Sequence, residues 1–112
     1  MLTEQFYKNW KGDKLDNLQC DTRFVDDIND DLQDFIDAED GMCDDDGYTR
    51  AELLTHLEDV KLIDKVMNFA CQRYGCEMIG DEITAEHPEQ VLQAMMAIYA
   101  WVDFKECGLW KD

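Results

Sequence analysis

The sequence predicts an all-α fold, a small bundle of about four helices that forms a single acidic helical domain over residues 1–112. Three observations support this prediction. Apolar residues recur at intervals of three and four along most of the chain, N-capping signals precede several apolar segments, and glycines follow the segments where helices should end. A chain of 112 residues with 46 % hydrophobic residues can bury one core but has no room for a second domain.

The first two helices are predicted over residues 3–10 and 22–39. Thr3 is the expected N-cap of the first and Gly12 ends it, so a loop or short turn should follow over residues 14–21. The second helix has the clearest periodicity in the chain, because six apolar residues fall on one core-facing stripe. The stripe consists of Phe24, Val25, Ile28, Leu32, Phe35 and Ile36.

A loop with two glycines and three consecutive aspartates is predicted over residues 40–47, followed by helical structure to residue 74. Thr49 and Glu52 have the spacing of a capping box at its start. Gly75 supplies the C-terminal stop. A break near Asp59 is compatible with the pattern, and it would divide this segment into two helices.

The remaining residues are predicted to form an ambiguous segment and a last helix. Residues 76–83 form either a minor hairpin that turns at Gly80 and Asp81, or a loop. The last helix begins at Pro88 and ends at Gly108, and it is apolar on most sides. The predicted core draws on all these helices and consists of Ile28, Leu32, Phe35, Leu57, Val66, Tyr74, Leu92, Met95, Tyr99 and Val102.

The net charge of −17, with a pI near 4.1, argues against direct binding to nucleic acid or to an anionic membrane. Residues 21–59 hold fifteen acidic and two basic residues, a local net charge of −13. The chain shows no secretory signal and no membrane-spanning stretch, and its five irregularly spaced cysteines are expected to be reduced, which predicts a cytoplasmic protein. Without a nucleophile motif or a phosphate-binding loop, we expect no enzyme, no cofactor and no metal site.

The polar face of the predicted helix over residues 22–39 is almost entirely aspartate. Its six carboxylates would span about 16 Å, or roughly 3 Å of helix axis per charge. The phosphates of one B-DNA strand follow each other every ~3.4 Å of axis, a similar linear charge density. The predicted partner-binding surface combines this ridge with the acids of the following loop: Asp26, Asp27, Asp30, Asp31, Asp34, Asp37, Glu39, Asp40, Asp44, Asp45 and Asp46.

Metal binding is a weaker interpretation of some of the same residues. Asp44, Asp46 and Glu52 resemble part of a calcium-binding EF-hand loop, but Met42 and Leu53 occupy two of the ligand positions and cannot coordinate the ion. A zinc site would need ligands whose spacing is irregular, namely Cys71, Cys76, His87 and His56. The apolar last helix offers a different kind of contact, either for the partner of an acidic adaptor or structural subunit, or for a second copy in a homodimer.

In size, acidity and its aspartate-lined helix, the chain resembles the small DNA-mimic proteins that phages and mobile elements direct against restriction, CRISPR or DNA-repair enzymes. The resemblance concerns charge and not a sequence motif, so it assigns no binding residue. It implies a non-enzymatic inhibitor that inserts its carboxylates into the basic groove of a nucleic-acid-handling or defence protein and excludes nucleic acid. A calcium-responsive module and an acidic adaptor remain the alternatives.

Overall fold

The computed structural model describes residues 5–11, 14–15, 18–26 and 30–106, and these form an α/β fold. The all-α prediction is therefore wrong. The strands are Trp10–Lys11 (β1), Lys14–Leu15 (β2), Gln19–Val25 (β3), Asp31–Ile36 (β4), Cys43–Asp44 (β5), Glu77–Ile79 (β6) and Glu82–Ala85 (β7). The helices are Tyr48–His56 (α1), Val60–Tyr74 (α2) and Pro88–Glu106 (α3). Strands β3-β4-β5-β7-β6 form one antiparallel sheet in that order, and β1 pairs with β2.

The predicted helix over residues 22–39 is a β-hairpin made of β3 and β4. Cys20 lies opposite Asp34, and burial alternates along both strands as the strand period of two requires. Asp26 supports the turn, because its carboxylate accepts the Asp30 N–H at 3.0 Å. The sequence of residues 26–31 is rich in Asp and Asn, residue types that generally favour turns over helices because a short polar side chain can bond to nearby backbone groups. The apolar residues before and after this segment happen to have helical spacing, which explains the wrong prediction.

The predicted helix over residues 3–10 is also wrong in its described part, residues 5–10. Tyr7 forms an antiparallel bridge with Thr22, and the Lys8 N–H donates to the Asp21 carbonyl at 2.6 Å. The segment therefore lies along the outer edge of β3 and covers backbone groups that would otherwise be exposed. Trp10 continues into β1 instead of closing a helical turn.

The helical prediction after residue 48 is confirmed, including the break near Asp59. Asp59 is the N-cap of α2 and accepts the Leu62 N–H at 3.2 Å, and Gly75 ends that helix with φ of +73°. The capping box is wrong, because α1 begins after Gly47 without a side-chain cap from Thr49. The hairpin alternative for residues 76–83 is present, since β6 pairs with β7 around Gly80.

The core lies between α3 and one face of the sheet. Helix α3 contacts β4, β5 and β7, and α2 packs against α3. Ile28 falls outside the described residues, Phe35, Leu57, Val66 and Tyr74 are half-buried, and the other five predicted core residues are buried. Fully buried residues that are not among those ten include Tyr7, Ile63, Ile83 and Ile98. Within the described part of the chain, no helix is long and apolar enough to cross a membrane.

Candidate functional site

The face of the sheet turned away from α3 is rich in acidic side chains. The strand register aligns Phe35, Asp44, Thr84 and Glu77 in one row across β4, β5, β7 and β6. In the neighbouring row of β3 and β4, the Gln33 amide donates to the Asp21 carboxylate at 2.8 Å, so both side chains lie on this face. We define the acidic sheet face as the carboxylates of Asp21, Asp31, Asp44, Asp46, Glu77 and Glu82.

Three of these carboxylates converge at the centre of the face. Oxygen atoms of Asp44, Asp46 and Glu82 all lie within 4.8 Å of one another. Partial burial raises the pKa of Asp44 and of Glu82, and the neighbouring carboxylates raise it further. Within the described part of the chain, none of the three forms an ion pair. The cluster would therefore be stabilised by a cationic group from outside.

The convergence changes the calcium interpretation without completing a calcium site. Calcium binds oxygen ligands at about 2.3–2.6 Å, so oxygens up to about 5 Å apart can share one ion. The third carboxylate beside Asp44 and Asp46 belongs to Glu82 of β7, and not to Glu52 as the EF-hand comparison predicts. Three carboxylates alone are fewer than the six to eight ligands that calcium takes.

The zinc candidates are not brought together. Among the described residues, Asp44, Asp46 and Glu82 are the only group of three or more His, Cys, Asp or Glu side chains close enough to share an ion. The thiol of Cys76 instead donates to the Gln90 carbonyl at 3.3 Å, and His56 pairs with Glu106 at 2.7 Å. Cys71 is buried, and His87 is exposed.

The structure divides the eleven predicted partner-binding residues into four groups. Six are exposed, namely Asp30, Asp31, Asp37, Glu39, Asp40 and Asp46. Asp44 is half-buried, Asp27 lies outside the described residues, and the three buried ones are Asp26, Asp34 and Asp45. The single ridge of aspartates does not form, because successive side chains of a strand point to opposite faces.

Asp34 projects from β4 into the core and is 0 % exposed. Neither of its carboxylate oxygens has a hydrogen-bond partner among the described residues. Burial raises its pKa to about 8, and the Cys20 thiol lowers it, but that contact falls short of hydrogen-bond geometry and does not offset burial. The group is therefore largely protonated at neutral pH and offers a partner no charge.

Asp45 is equally buried, but its carboxylate is fully used by the backbone. One oxygen accepts the N–H of Gly47 at 3.1 Å and of Ile83 at 3.0 Å, and the other accepts the Thr49 N–H at 3.1 Å. The bond to Thr49 caps the N-terminus of α1. The bond to Ile83 continues the pairing with β7 beyond the last residue of β5. The Asp26 carboxylate also bonds within the protein, since it accepts a hydrogen bond from the Tyr48 hydroxyl at 2.6 Å.

Local backbone bonding explains why aspartate is preferred to glutamate in this region. Asp37 accepts the Glu39 N–H at 2.7 Å, Asp40 accepts the Met42 N–H at 2.9 Å, and Asp44 accepts the Asp46 N–H at 2.9 Å. Each bond reaches two residues ahead, which suits the short aspartate side chain and stabilises a turn. Part of the acidity of this region is therefore structural.

Three members of the acidic sheet face are not among the eleven residues predicted from the sequence. The sequence predicts a loop at Asp21 and assigns no role to Glu77 and Glu82. In the sequence, Cys20, Thr22 and Phe24 alternate with Asp21 and Arg23, and this period of two is a strand signal that locates Asp21 on the polar face. Glu77 and Glu82 join the face only through the pairing of β5 with β7, which no local pattern specifies.

A basic side chain contacts one member of the acidic sheet face. The Lys8 ammonium contacts both oxygens of Asp31, at 2.7 and 2.8 Å, at the β3–β4 end of the sheet. Because both side chains are solvent-exposed, this pair adds little stability. No protein-family model, curated protein or solved structure matches the chain.

Proposed function

We propose that this chain is a non-enzymatic acidic inhibitor that binds a basic surface of a nucleic-acid-handling or defence protein and excludes nucleic acid from it. The acidic sheet face is the binding surface. The observation that supports this most directly is the convergence of Asp44, Asp46 and Glu82, whose mutual repulsion a partner's arginine or lysine would relieve.

The dimensions of the face suit this role. Five strands at about 4.8 Å spacing place β3 and β6 about 19 Å apart, and the six carboxylates are distributed over strands that follow one another about every 4.8 Å. That spacing is of the same order as the ~3.4 Å per phosphate of a nucleic-acid strand. The exposed acids of the β4–β5 turn, Asp37, Glu39 and Asp40, extend the negative surface beyond the ends of these two strands. Charge-assisted bonds to arginine would then replace those that phosphates make.

We place the action of the inhibitor in the cytoplasm, or in the host cytoplasm if the gene belongs to a phage. The four described cysteines, Cys20, Cys43, Cys71 and Cys76, are free and buried, which suits a reducing compartment. The charge of −17 disfavours direct binding to nucleic acid or an anionic membrane, so the expected partner is a protein.

The test compares two variants with the same loss of charge. Asp44→Asn with Glu82→Gln neutralises the centre of the acidic sheet face, and Glu58→Gln with Asp103→Asn removes two exposed charges elsewhere. Each immobilised protein captures partners from a bacterial lysate at low salt, and double-stranded DNA is added as competitor. We expect nucleic-acid-binding proteins to be retained by the parent and by the control variant, released by DNA, and lost at least tenfold from the sheet-face variant.

Three outcomes would overturn the proposal. Equal capture by the two variants would remove the acidic sheet face from the interface, and failure of DNA to compete would remove nucleic-acid exclusion. Saturable calcium binding that depends on Asp44 and Glu82 would assign the face to a metal instead. Urea unfolding of both variants confirms that any loss reflects charge and not folding.

A further inference from the structure

An open apolar groove runs between α2 and α3, on the helical layer of the molecule. Its volume is about 660 Å³. Phe69 lines it and is 64 % exposed, although aromatic side chains of this size normally lie in a core. Along α2 the groove extends from Leu62 to Tyr74, twelve residue steps, or about 18 Å at 1.5 Å per residue. Trp101 lines it from α3.

The charges around the groove are opposite to those of the whole molecule. Of the described residues that line it, Lys65 and Arg73 are charged and none is an acid. The ammonium of Lys105 lies 5.8 Å from the centre of the Trp101 ring and adds a third cation at the rim. Asp64, the only acid in the sequence of α2, pairs with Arg50 of α1 at 3.1 Å. A chain with net charge −17 thus presents a basic, apolar groove.

We propose that this groove binds an amphipathic helix of a partner protein whose apolar stripe is flanked by Asp or Glu. An elongated groove of about 18 Å accommodates about three turns of helix, with apolar anchors at i, i+4 and i+7. The flanking acids would contact Lys65 and Arg73, while Phe69 and Trp101 contact the apolar stripe. This surface is distinct from the acidic sheet face, so the chain could hold two partners or two parts of one partner.

A second copy of the chain fits the groove less well. A two-fold dimer through this groove would place the bases Lys65 and Arg73 of both copies near one another. The charge of −17 on each copy adds long-range repulsion. The helical layer separates an acidic helix in the groove from the acidic sheet face. Because charges are screened beyond about 8 Å at physiological ionic strength, the face repels such a helix only weakly.

The test selects binders from a displayed library of 18-residue helical peptides in which the apolar stripe and its flanking positions are both varied. The full chain is the bait. We expect selected peptides to share an apolar stripe flanked by acids and to bind at least tenfold more tightly than versions with lysine flanks, measured by fluorescence anisotropy. Phe69→Ala and Lys65→Glu should each weaken binding at least fivefold.

Matched controls on the same helix separate the groove from general effects. Val60→Ala removes an exposed apolar side chain and Lys61→Glu reverses an exposed charge, both outside the groove, and both should leave affinity unchanged. Selection of lysine-flanked peptides, or no enrichment at all, would overturn the proposal. So would a concentration-dependent dimer in sedimentation that Phe69→Ala abolishes, because the occupant would then be a second copy.

Discussion

Replacing Asp34 with asparagine should remove a strong pH dependence of stability. In the unfolded chain the group titrates near its ordinary pKa of 3.8, whereas in the folded protein burial raises the pKa to about 8. Folding at intermediate pH therefore takes up a proton. Asp34 lowers the free energy of unfolding least below pH 4, where it is protonated in both the folded and the unfolded chain. The free energy of unfolding then falls as the pH rises from about 4 to about 8, and Asp34 changes it little beyond that.

The magnitude follows from the distance between the two pKa values. Each pH unit in the interval costs about 1.4 kcal/mol of unfolding free energy, so the whole loss is at most about 5–6 kcal/mol. Asparagine has nearly the same size and never ionises. Relative to the parent, Asp34→Asn should therefore gain about 3–4 kcal/mol between pH 5 and pH 8. A constant offset, from burying an amide without a partner, does not affect this slope.

Urea unfolding at pH 5, 6, 7 and 8, followed by circular dichroism, measures the effect. The control is Asp103→Asn, which makes the same substitution at an exposed position of α3 and should run parallel to the parent. If the difference between Asp34→Asn and the parent stays constant from pH 5 to pH 8, the reasoning is refuted, because Asp34 would then ionise as freely as an exposed carboxylate.

Four further predictions concern packing, capping, thiols and charge. Leu32→Ala should lower the unfolding free energy by about 2–5 kcal/mol, since Leu32 is buried; urea unfolding that shows a loss below about 0.5 kcal/mol would contradict its core position. Asp45→Ala leaves three backbone N–H groups without an acceptor and should cost about 3 kcal/mol or more in the same assay, whereas a loss near that of an exposed site would contradict its capping role. At most one thiol per chain should react quickly with a disulfide reagent in the native protein, because the four described cysteines are buried. Burial also raises the pKa of Cys71 to about 11 and of Cys43 and Cys76 to about 12. Fast reaction of two or more thiols would contradict this prediction. Raising NaCl from about 20 to 200 mM should raise the melting temperature by screening repulsion, and a fall would show that attractive pairs dominate.

The elements predicted from sequence are those whose signals are local. Helix α2 has its N-cap at Asp59 and its stop at Gly75, and the hairpin of β6 and β7 turns at Gly80, so each is specified by residues within a few positions. In the first half of the chain the local signals conflict, because turn-favouring residues near 26–31 interrupt apolar residues at helical spacing. Leu32, Phe35 and Ile36 fit a helical stripe as well as a strand, and tertiary pairing decided between them.

The acidity of the site was predictable, but its arrangement was not. Composition locates negative charge in residues 21–59, and seven of the eleven predicted residues do reach the surface at least in part. Whether an aspartate reaches solvent depends on strand register, which directs Asp34 into the core and its neighbour Gln33 outward. Glu82 joins Asp44 and Asp46 only because β5 pairs with β7, and that contact bridges about forty residues of chain.

The exchange of a helix for a hairpin also changes the kind of partner that the negative surface suits. A helical ridge would present one line of charge that fits a narrow groove. The sheet instead spaces carboxylates about 4.8 Å apart across strands and about 7 Å apart along them, in a plane. Such a face matches several cationic side chains distributed over a broad basic surface, as in the wall of a nucleic-acid channel. Backbone pairing of β5 with β7 holds Asp44 and Glu82 close together, so the face needs little reorganisation when a partner binds. We expect a partner's arginine that contacts the centre of the face to contribute most of the binding free energy.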